Sequence, residues 1–490
     1  MLNWFGLNDN SLSEWLMDLG IDRQALVPVV QQIVSALAAW IRESGASPGT
    51  RLPSVRQLAR DNLLSQSSVI EAFERMVAQG VLASRHGAGF FVAEPCTVKG
   101  PSSENQWYEG AESGWGVFTD NQLGELKLGC GWLPDTWRES DDISYAIREV
   151  TRTDTAAVFN YSTPLGLPAL REQLLKRLSH IHVATQVDHI LTTQGASHAQ
   201  DLLIRTLLKA GDTVVVESPG YGNLYRLLAF HGIKLLEVPR TRGGPDMPAL
   251  EALLRAHRPK CLFINSLYHN PTGTSLSLPV AERLLQLAHS QGFFIVEEDV
   301  FGDLQPATCT RLSALPHEDR VIYISSFSKT LSSALRVGYL TASGAIIAQL
   351  ARVKTLTGIG TSRFAEAVVA TLLANGTYRK WVHRLRRRLG AEMAMTLQVL
   401  EDEEWEVFAV PAGGMFLWAR PGVGDCSTLQ ARARRLGVLL SPGALFSPTG
   451  EHSDWLRINV AYAADRRALA LFKAMGPAGS TSTILKTTRM

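Results

Sequence analysis

One lysine of this chain lies beside several hydroxyl groups and an arginine, an arrangement that supports covalent chemistry. The run Ser325-Ser326-Phe327-Ser328-Lys329-Thr330 follows a strand-like segment, and Arg336 comes seven residues after the lysine. A lysine that forms a Schiff base needs a confined site, and hydroxyls beside a cation are typical ligands of a phosphate. The spacing therefore predicts a Schiff-base lysine at Lys329 and a phosphate held by Ser326, Ser328 and Arg336.

Three more polar side chains follow strand-like segments, where ligands collect in open α/β folds. Asp299 could form an ion pair with a pyridine nitrogen. Such an ion pair keeps the ring protonated, and a protonated ring is a stronger electron sink. Asn270, presented by the Pro271-Thr272-Gly273 turn, could donate a hydrogen bond from its amide to a phenolic oxygen. Tyr221, which follows Ser218-Pro219-Gly220, suits stacking on a ring.

A second set of phosphate ligands is predicted where a strand-like segment gives way to a helix, at Thr193–Ser197. The backbone N–H groups of Gly195 and Ala196 and the hydroxyl of Ser197 would face an anion at the start of that helix. Taken singly, each of these features also has an ordinary structural reading as a turn, a cap or a solvated side chain. It is their combination and order that indicate a site.

The elements that would position these residues alternate between strand-like and helical segments, which predicts a mainly parallel sheet with helices on both faces. The predicted strands are Ile190–Thr193, Thr213–Glu217, Lys234–Val238, Cys261–Asn265, Phe293–Glu297 and Val321–Ser325. From about Gly376 onward, further helices and the strands Met415–Ala419 and Trp455–Val460 predict a smaller α+β lobe. The fold class is therefore α/β.

Taken in chain order, these motifs resemble the fold-type I aminotransferase family, over roughly residues 122–475. The resemblance implies pyridoxal 5'-phosphate as cofactor, with Lys329 as its Schiff-base partner, Asp299 on the ring nitrogen, Asn270 on the phenolic oxygen and Tyr221 stacked on the ring. It implies a phosphate cup that consists of Gly195, Ala196, Ser197, Ser326, Ser328 and Arg336.

Two further roles are implied by the same resemblance. Tyr161, in Tyr161-Ser-Thr-Pro-Leu-Gly166, matches the tyrosine that reaches the phosphate of the partner subunit, which implies a homodimer. Arg457 lies where the family places the arginine that grips a ligand carboxylate, which implies an amino acid or a similar amine as ligand. An arginine that only caps a strand is the alternative reading of Arg457.

This sequence departs from the family pattern just after Asp299. Where the family commonly has a tyrosine two or three residues further on, this chain has Phe301 and then Gly302. The loss of a phenolic hydrogen bond to the cofactor is expected to impair transamination more than cofactor binding.

Residues 24–94 have the pattern of a winged helix-turn-helix, with three helices followed by a hairpin. Apolar residues spaced by three or four predict a first helix from about Ala25 to Glu43. Ser54 is a candidate cap of a short second helix, and Ser65-Gln66-Ser67-Ser68 opens a third that closes at Gly80. Two short strands around Ser84–Gly87 complete a wing.

The motif Gly49-Thr-Arg-Leu-Pro-Ser-Val-Arg-Gln-Leu-Ala59 resembles the GntR family of bacterial regulators, so the resemblance implies binding of double-stranded operator DNA. The implied DNA-binding residues lie near the second helix, at the start of the third and at the wing tip. They are Arg51, Arg56, Ser65, Gln66, Ser67, His86 and Gly87. A protein-interaction module is the alternative for this region, and Ile70 stands where related regulators often have another arginine.

The predicted organisation is a winged helix-turn-helix at 24–94, a linker at 95–121, an aminotransferase-like unit at 122–475 and a flexible tail at 476–490. The chain has 490 residues, 46% of them hydrophobic, which fits a globular protein of more than one domain. Five scattered cysteines, without a CxxC pair, argue against disulfides or a zinc site. The N-terminal residues lack a signal-peptide pattern and no apolar run is long enough to span a membrane, so we expect a cytoplasmic protein.

A GntR-like domain followed by an aminotransferase-like unit resembles the MocR subfamily of regulators, as does Gly131-Trp132-Leu133-Pro134-Asp135. The resemblance implies a transcription regulator that binds pyridoxal phosphate and responds to it, or to an amino compound that forms an aldimine with it. The main alternative is an active aminotransferase with an appended DNA-binding domain. A dimeric DNA clamp without cofactor is a third reading, disfavoured by the presence of Lys329, Asp299, Asn270 and Arg336 together.

Overall fold

A computed structural model of the chain describes residues 17–23, 25, 27–85, 87–93, 124–138, 140–304, 310–422 and 426–476. The chain divides into two compact units, Met1–Ala111 and Glu112–Met490. The predicted linker at 95–121, the wing-tip residue His86 and the predicted tail from 477 onward lie outside the described residues. The roles given to these residues therefore stay predictions, and so do the bounds of the four segments 24–94, 95–121, 122–475 and 476–490.

The first unit has the predicted order of three helices and a hairpin. Its elements are α1 (Val29–Glu43), α2 (Val55–Asp61), α3 (Gln66–Ala78), β1 (Leu82–Arg85) and β2 (Gly89–Val92). The two strands pair antiparallel, with Leu82 opposite Val92, and they form the wing. Ile33, Leu37 and Phe73 are fully buried between the helices, because the apolar residues of each helix recur on one face.

Local sequence explains where the helices of this unit begin. The first helix starts at Val29, four residues later than the apolar spacing predicts, because Pro28 lacks an N–H and disfavours helical geometry in the residue before it. Ser54 and Ser65 cap α2 and α3 as predicted. Their hydroxyl oxygens accept hydrogen bonds from the N–H groups of Gln57 at 3.2 Å and Ser68 at 3.1 Å.

The segment just before α1 packs on the same unit. Met17 and Leu19 are buried in its core, and Asn62 ties them down by accepting from the Leu19 N–H at 2.7 Å and donating to the Met17 carbonyl at 2.8 Å. Leu19 lies in an irregular segment.

The first half of the second unit alternates between helices and strands. In chain order the elements are α4 (Ser140–Thr153), α5 (Thr155–Phe159), α6 (Pro168–His180), β3 (Ile190–Thr193), α7 (Ala196–Leu207), β4 (Thr213–Ser218), α8 (Gly222–Phe230), β5 (Lys234–Thr241), β6 (Gly244–Pro245), α9 (Met247–Ala256), β7 (Cys261–Asn265), α10 (Leu278–Gln291), β8 (Phe294–Glu298), β9 (Val321–Ser326) and β10 (Gly338–Thr341).

The second half is richer in helices and adds a small sheet. Its elements are α11 (Gly344–Gly358), α12 (Arg363–Ala374), α13 (Thr377–Asp402), β11 (Glu406–Val407), β12 (Phe416–Arg420), α14 (Cys426–Arg435), β13 (Ser441–Pro442), β14 (Leu456–Asn459) and α15 (Arg466–Ala474). Short 3-10 helices lie at Asp135–Trp137, Val187–His189, Gly302–Leu304, Leu312–Ala314, Gly443–Phe446 and Val460–Tyr462.

The large sheet has the order β3-β10-β9-β8-β7-β4-β5-β6. The strands β5, β4, β7, β8 and β9 run parallel, while β10 is antiparallel to both of its neighbours and β6 is antiparallel to β5. The prediction of a mainly parallel sheet is confirmed. Since β3 and the central parallel strands point the same way, their carboxyl ends meet at one edge.

The small lobe contains a four-stranded antiparallel sheet with the order β11-β12-β14-β13. This matches the predicted α+β lobe, and its strands β12 and β14 agree with the predicted segments to within one residue at each end. Among the described residues, no helix combines the length and the apolar character that a membrane span requires.

Candidate cofactor and ligand site

The second unit contains a cavity of about 660 Å³ at the edge where the parallel strands end. Its walls come from two sources. The ends of β7, β8 and β9 and the starts of α7 and α8 form one side, and residues of the small lobe, including Phe416, Phe446 and Arg457, form the other.

The six residues of the predicted phosphate cup come together around the start of α7. The Arg336 guanidinium donates to the Ser328 hydroxyl at 3.2 Å and to the Gln194 carbonyl at 3.0 Å. The Ser326 hydroxyl donates to that of Ser328 at 3.1 Å. The helix starts at Ala196, so the N–H groups of its first turn face the same point and, with Arg336, favour an anion.

Gly195 is needed at the cup for two reasons. Its φ angle of +83° lies in the left-handed region that favours glycine, and a Cβ there would stand 2.6 Å from the Arg336 guanidinium. The strand β10 approaches from the other side, where a Cβ on Gly338 would stand 2.7 Å from the Gly195 backbone. Only small residues leave the cup open.

Lys329 lies on the cavity wall, and its ammonium donates to the Gly131 carbonyl at 2.8 Å. Burial and, to a smaller extent, the nearby Arg457 guanidinium lower the pKa of Lys329 to about 8, while Glu298 acts in the opposite direction. A much larger share of this lysine is therefore neutral near pH 7 than of an ordinary one. A neutral amine is the form that attacks a carbonyl carbon.

The loop that carries Lys329 is tied to the long helix α13. The Thr330 hydroxyl hydrogen-bonds to the Tyr378 hydroxyl at 2.7 Å, and Tyr378 also donates to Asp303. The Arg386 guanidinium, two turns further along α13, donates to the Asp303 carbonyl at 2.6 Å. The first part of α13 is thus fastened to Thr330 of the Lys329 loop and to Asp303.

The structure does not bring Asp299 into the cavity, so its predicted contact with a ring nitrogen is wrong. Asp299 is buried behind the sheet edge, where its carboxylate accepts from Arg311 at 2.7 Å and from the Tyr323 hydroxyl at 2.8 Å. Successive side chains of a strand point to opposite faces. Asp299 therefore shares the face of Glu297, not the face that lines the cavity.

The carboxylate that does line the cavity is Glu298, which sequence reasoning missed. It accepts from the Gln200 side chain at 3.2 Å. Burial raises the pKa of Glu298 to about 7, although the ammonium of Lys329 acts to lower it. The two-residue alternation of a strand could have identified Glu298. Val296 and Glu298 are two residues apart, and both line the cavity.

Arg457 and Asn270 form a joint polar wall. The Arg457 guanidinium donates to the Asn270 amide oxygen at 2.7 Å and to the Gly129 carbonyl at 2.7 and 3.1 Å. It lies between the rings of Phe416 and Phe446, at 4.7 and 4.8 Å from their centroids. Burial lowers the pKa of Arg457 to about 10. The arginine fixes the amide so that the Asn270 nitrogen is the atom turned away from it.

Two aromatic residues complete the cavity. Tyr221 is half-buried on the wall, its hydroxyl accepts from Asn223 at 3.2 Å, and burial raises its pKa, so it is a neutral phenol. Phe301 is buried on the wall and packs edge-to-face on Phe416 at 5.2 Å. At Phe301 the site therefore has a ring without a hydroxyl, where the family commonly has the phenolic hydroxyl of a tyrosine.

Tyr161 lies outside the cavity of its own chain, with 77% of its surface exposed. The adjacent Ser162 is buried and donates to Glu366. Glu366 also accepts from the Thr192 hydroxyl at 2.5 Å and from the Leu167 N–H at 3.0 Å. The bonds to Glu366 thus anchor the segment from Ser162 to Leu167, while the adjacent Tyr161 stays exposed.

In the first unit, the described residues predicted to bind DNA are all exposed: Arg51, Arg56, Ser65, Gln66, Ser67 and Gly87. Ser65 has a structural task as the cap of α3, and its hydroxyl also contacts that of Ser67 at 2.9 Å. Gln66 is the first residue of α3, the position from which a recognition helix presents side chains to base edges. Arg51 lies beside Gly89 of the wing.

The residues of the cavity fit pyridoxal 5'-phosphate. The cup provides serine hydroxyls, helix N–H groups and one arginine for a phosphate, and Lys329 provides an amine with a lowered pKa. Glu298 provides an acid for a ring nitrogen, and Tyr221 a ring on which another can stack. The fold and the site together define an aminotransferase-type unit.

Comparison with known families agrees with this assignment. The profile described as aminotransferase class I and II matches residues 125–470, and the chain belongs to that family. A second profile, bacterial regulatory proteins of the gntR family, matches residues 29–92. The predicted fusion of a GntR-type domain with an aminotransferase-like unit, as in the MocR subfamily, is thus confirmed.

Several relatives share the whole architecture. The HTH-type transcriptional regulator YdfD of Bacillus subtilis is 28% identical, over 89% of this chain and 93% of YdfD. The HTH-type transcriptional regulator YjiR of Escherichia coli is 26% identical, over 91% of this chain and 98% of YjiR.

A solved structure resembles the second unit. It is LysN, the α-aminoadipate aminotransferase of Thermus thermophilus, complexed with N-(5'-phosphopyridoxyl)-L-leucine. LysN has a TM-score of 0.66 and 28% identity, and the match covers 72% of this chain and 93% of LysN.

Proposed function

We propose that this protein is a transcription regulator that binds DNA through its first unit and pyridoxal phosphate through its second. Its signal is the cofactor itself or an amino compound that reacts with it. The observation that carries the proposal is the convergence of Lys329, the complete phosphate cup and Arg457 on one cavity, in a chain that also has a winged helix. The names of the full-length relatives support it.

The charged residues and the cup of the cavity have distinct parts in ligand capture. Bound pyridoxal phosphate supplies an aldehyde for covalent capture of amines and an electron-withdrawing ring. Lys329 supplies the amine that holds it, Glu298 bonds the ring nitrogen in place of Asp299, and the cup binds the phosphate. Arg457 then orients an incoming amino acid by its carboxylate, since its guanidinium is held rigidly between two rings.

Regulation requires that the ligand bind one global state of the protein better than another. On the DNA side, Arg51 and Arg56 bind phosphates, and Gln66 and Ser67 read base edges from the start of α3. Since the target is chromosomal DNA, we propose that the protein acts in the cytoplasm.

A homodimer is part of the proposal. Tyr161 is 77% exposed and its neighbour Phe159 is 80% exposed, so this edge presents large apolar side chains to its surroundings. A second copy would cover them and would bring each Tyr161 to the cup of the other subunit. Two winged helices would then bind two half-sites, which multiplies affinity.

An active aminotransferase with an appended DNA-binding domain is the second candidate, supported by the intact ligand arginine. Phe301 weighs against it, because no phenolic hydroxyl at that position assists proton transfer. The candidates differ in turnover: an aminotransferase exchanges amino groups between an amino acid and a keto acid, and a regulator need only bind.

The test is the visible absorbance of the purified full-length protein, with and without added pyridoxal phosphate, compared with Lys329→Ala. We expect a cofactor band in the wild type that is lost in the variant, and operator binding in an electrophoretic assay that responds to amines only in the wild type. Protein that stays colourless with added cofactor, or an amine response that survives Lys329→Ala, would refute the proposal.

A further inference from the structure

Gln200 of α7 is a buried polar residue on the cavity wall that has no part in the ligand capture described above. It is only 2% exposed, and it lines the cavity together with Ser197, three residues earlier in the same helix. Residues three apart lie on one face of a helix, and three residues span about 4.5 Å along its axis. The face of α7 that begins at the phosphate cup therefore continues to Gln200.

The Gln200 amide contacts the acid that we assign to the ring nitrogen. Its nitrogen donates to Oε2 of Glu298 at 3.2 Å. A carboxylate has two oxygens that accept hydrogen bonds, so one that is held at Oε2 can bind a ligand through Oε1. The contact thus fixes the direction of the Glu298 side chain and still leaves it able to accept from a ligand.

The main chain of Glu298 is fixed separately, at the end of β8. Its carbonyl accepts from the Asn265 side chain at 2.8 Å, and the Asn265 amide oxygen accepts from the Asn270 N–H at 2.9 Å. These bonds hold the backbone but leave the side-chain torsions of Glu298 open. A long side chain loses rotamer freedom when a ligand fixes it, and that loss opposes binding. A donor on the neighbouring helix reduces the loss because it holds the carboxylate in advance.

The same hydrogen bond favours the charged form of Glu298. Burial raises the pKa of Glu298 to about 7, whereas the Lys329 ammonium and the hydrogen bond from Gln200 act to lower it. The nearby Asp299 acts in the same direction as burial. Since an ionised carboxylate is the form that keeps a ring nitrogen protonated, Gln200 supports both the direction and the charge that this contact needs.

We propose that Gln200 is a positioning residue, which holds the Glu298 carboxylate toward the ring nitrogen of the cofactor at a fixed place relative to the phosphate cup. The inference rests on the proposed function, because it assumes that pyridoxal phosphate binds in this cavity. One rigid helix then serves both ends of the cofactor: the first turn of α7 binds the phosphate, and Gln200, just after it, sets the acid. Gln200 therefore contributes to cofactor affinity through the ring nitrogen alone.

The experiment measures the affinity of the full-length apo-protein for two probes, pyridoxal phosphate and its 1-deaza analogue, in which a carbon replaces the ring nitrogen. Both probes keep the phosphate, the aldehyde and the phenolic oxygen, so the ratio of their dissociation constants isolates the contact at the ring nitrogen. Equilibrium dialysis gives both constants. We expect the wild type to bind pyridoxal phosphate at least about tenfold more tightly than the analogue, as for other hydrogen bonds to charged groups.

Two variants of Gln200 test its role. Gln200→Met keeps the length of the side chain and removes its donor, so it should lower the preference for pyridoxal phosphate by at least about threefold and leave affinity for the analogue within about twofold. Gln200→Asn keeps the amide one methylene further from Glu298 and should give a smaller loss. It also keeps the test open should Gln200→Met fail to fold.

A double-mutant cycle and a control on the same helix locate the effect. Glu298→Gln should lower the preference by itself, and Gln200→Met added to it should cause little further loss, because the two changes break one interaction. Thr206→Val is the control, since it removes from α7 a hydroxyl that donates to the Leu202 carbonyl at 2.7 Å, away from the cavity wall. The control should keep the preference of the wild type.

An unchanged preference in Gln200→Met would overturn the inference. Equal loss of affinity for both probes would overturn it as well, since a purely structural role has that effect, and so would additive losses in the double variant. If the wild type binds both probes equally, Glu298 makes no contact with the ring nitrogen, and this inference fails while cofactor binding stands. If neither probe binds, the proposed function fails with it.

Discussion

At the scale of single residues, the chemistry of the site depends on two neighbouring titratable groups, Lys329 and Glu298. Burial shifts the pKa of each toward neutrality, the lysine to about 8 and the glutamate to about 7. The charge of Glu298 raises the pKa of Lys329, so the acid favours the protonated and unreactive form of the amine. The rate of cofactor loading should therefore increase with pH, with a midpoint near the pKa of Lys329.

Glu298→Gln should move that midpoint to lower pH. Removal of this acidic neighbour takes away the first-named group that raises the pKa of Lys329, while burial, Arg457 and Arg336 still lower it. The measurement is the rate at which the cofactor absorbance develops after mixing apo-protein with pyridoxal phosphate, from pH 6 to 10. Glu172→Gln, at an exposed position of α6, is the control and should not move the profile. A midpoint that stays or rises in Glu298→Gln would contradict the assignment.

Phe301→Tyr should increase transamination. The ring already lies on the cavity wall, so a hydroxyl at its tip would restore the donor that the family has at this place. We expect turnover with an amino acid and a keto acid to increase by at least about tenfold, within the range that a positioned proton donor supplies. Phe301→Leu, which adds no hydroxyl, should give no gain. Equal turnover in Phe301 and Phe301→Tyr would show that another step is limiting.

Local sequence predicts residue identity in the site better than side-chain direction. The residues of the cup were predicted because serines, arginine and glycine occur together in short motifs. Asp299 was assigned in place of Glu298 because a run of three acidic residues, Glu297 to Asp299, offers three candidates with one chemistry. Which of them faces the ligand depends on the register of β8 in the sheet, and that register is set by its long-range neighbours.

At the scale of elements, the sequence predicted the parallel strands well, because each contains a short apolar run between turn residues. The strand β10 was missed. It follows directly on Arg336 and is antiparallel to β9 and β3, so its short run Gly338–Thr341 has no βα alternation to reveal it. Its two partners lie 12 or more residues away along the chain, and pairing of this kind leaves no local signal.

Glu366 of α12 should be among the most important single residues for stability. It is fully buried and accepts from the hydroxyls of Ser162, Thr192 and Thr361, with the buried Lys354 donating to Thr192 at 3.4 Å. Glu366→Ala removes the acceptor that these buried hydroxyls share, and the expected loss in free energy of unfolding is about 3–5 kcal/mol. Urea unfolding followed by fluorescence measures it. Glu366→Gln should lose less, and Glu172→Ala should lose almost nothing.

Arg56 of α2 should contribute to DNA affinity without regard to sequence. It is exposed at the start of a helix, where a guanidinium can reach a backbone phosphate. Arg56→Ala should weaken binding to every duplex by a similar factor and reduce the slope of log affinity against log salt by about 1. The control is Arg75→Ala, since Arg75 is paired with Glu71 at 2.6 Å. A slope unchanged in Arg56→Ala would exclude the phosphate contact.

At the scale of the whole molecule, the proposed dimer can be broken at one side chain. Phe159 is 80% exposed at the end of α5, next to the segment that presents Tyr161. Phe159→Glu places a charge where a second copy would pack, so the mass in solution should fall from that of two chains to that of one. Light scattering after size exclusion measures this. The matched control is Phe230→Glu, at 82% exposure on α8, which should leave the mass unchanged.

The attachment of α13 to the loop of Lys329 gives the molecule a mechanical property. Its 26 residues make a rod about 39 Å long at a rise of about 1.5 Å per residue. One end is hinged at Tyr378 against Thr330, and just beyond the other end the Trp405 indole donates to the Phe472 carbonyl of α15 at 3.1 Å. A tilt of about 5° at the hinge would displace the far end by about 3 Å. If the start of α13 moved with the Lys329 loop, α13 would act as a lever arm and turn a small rearrangement at the lysine into a larger displacement at its far end.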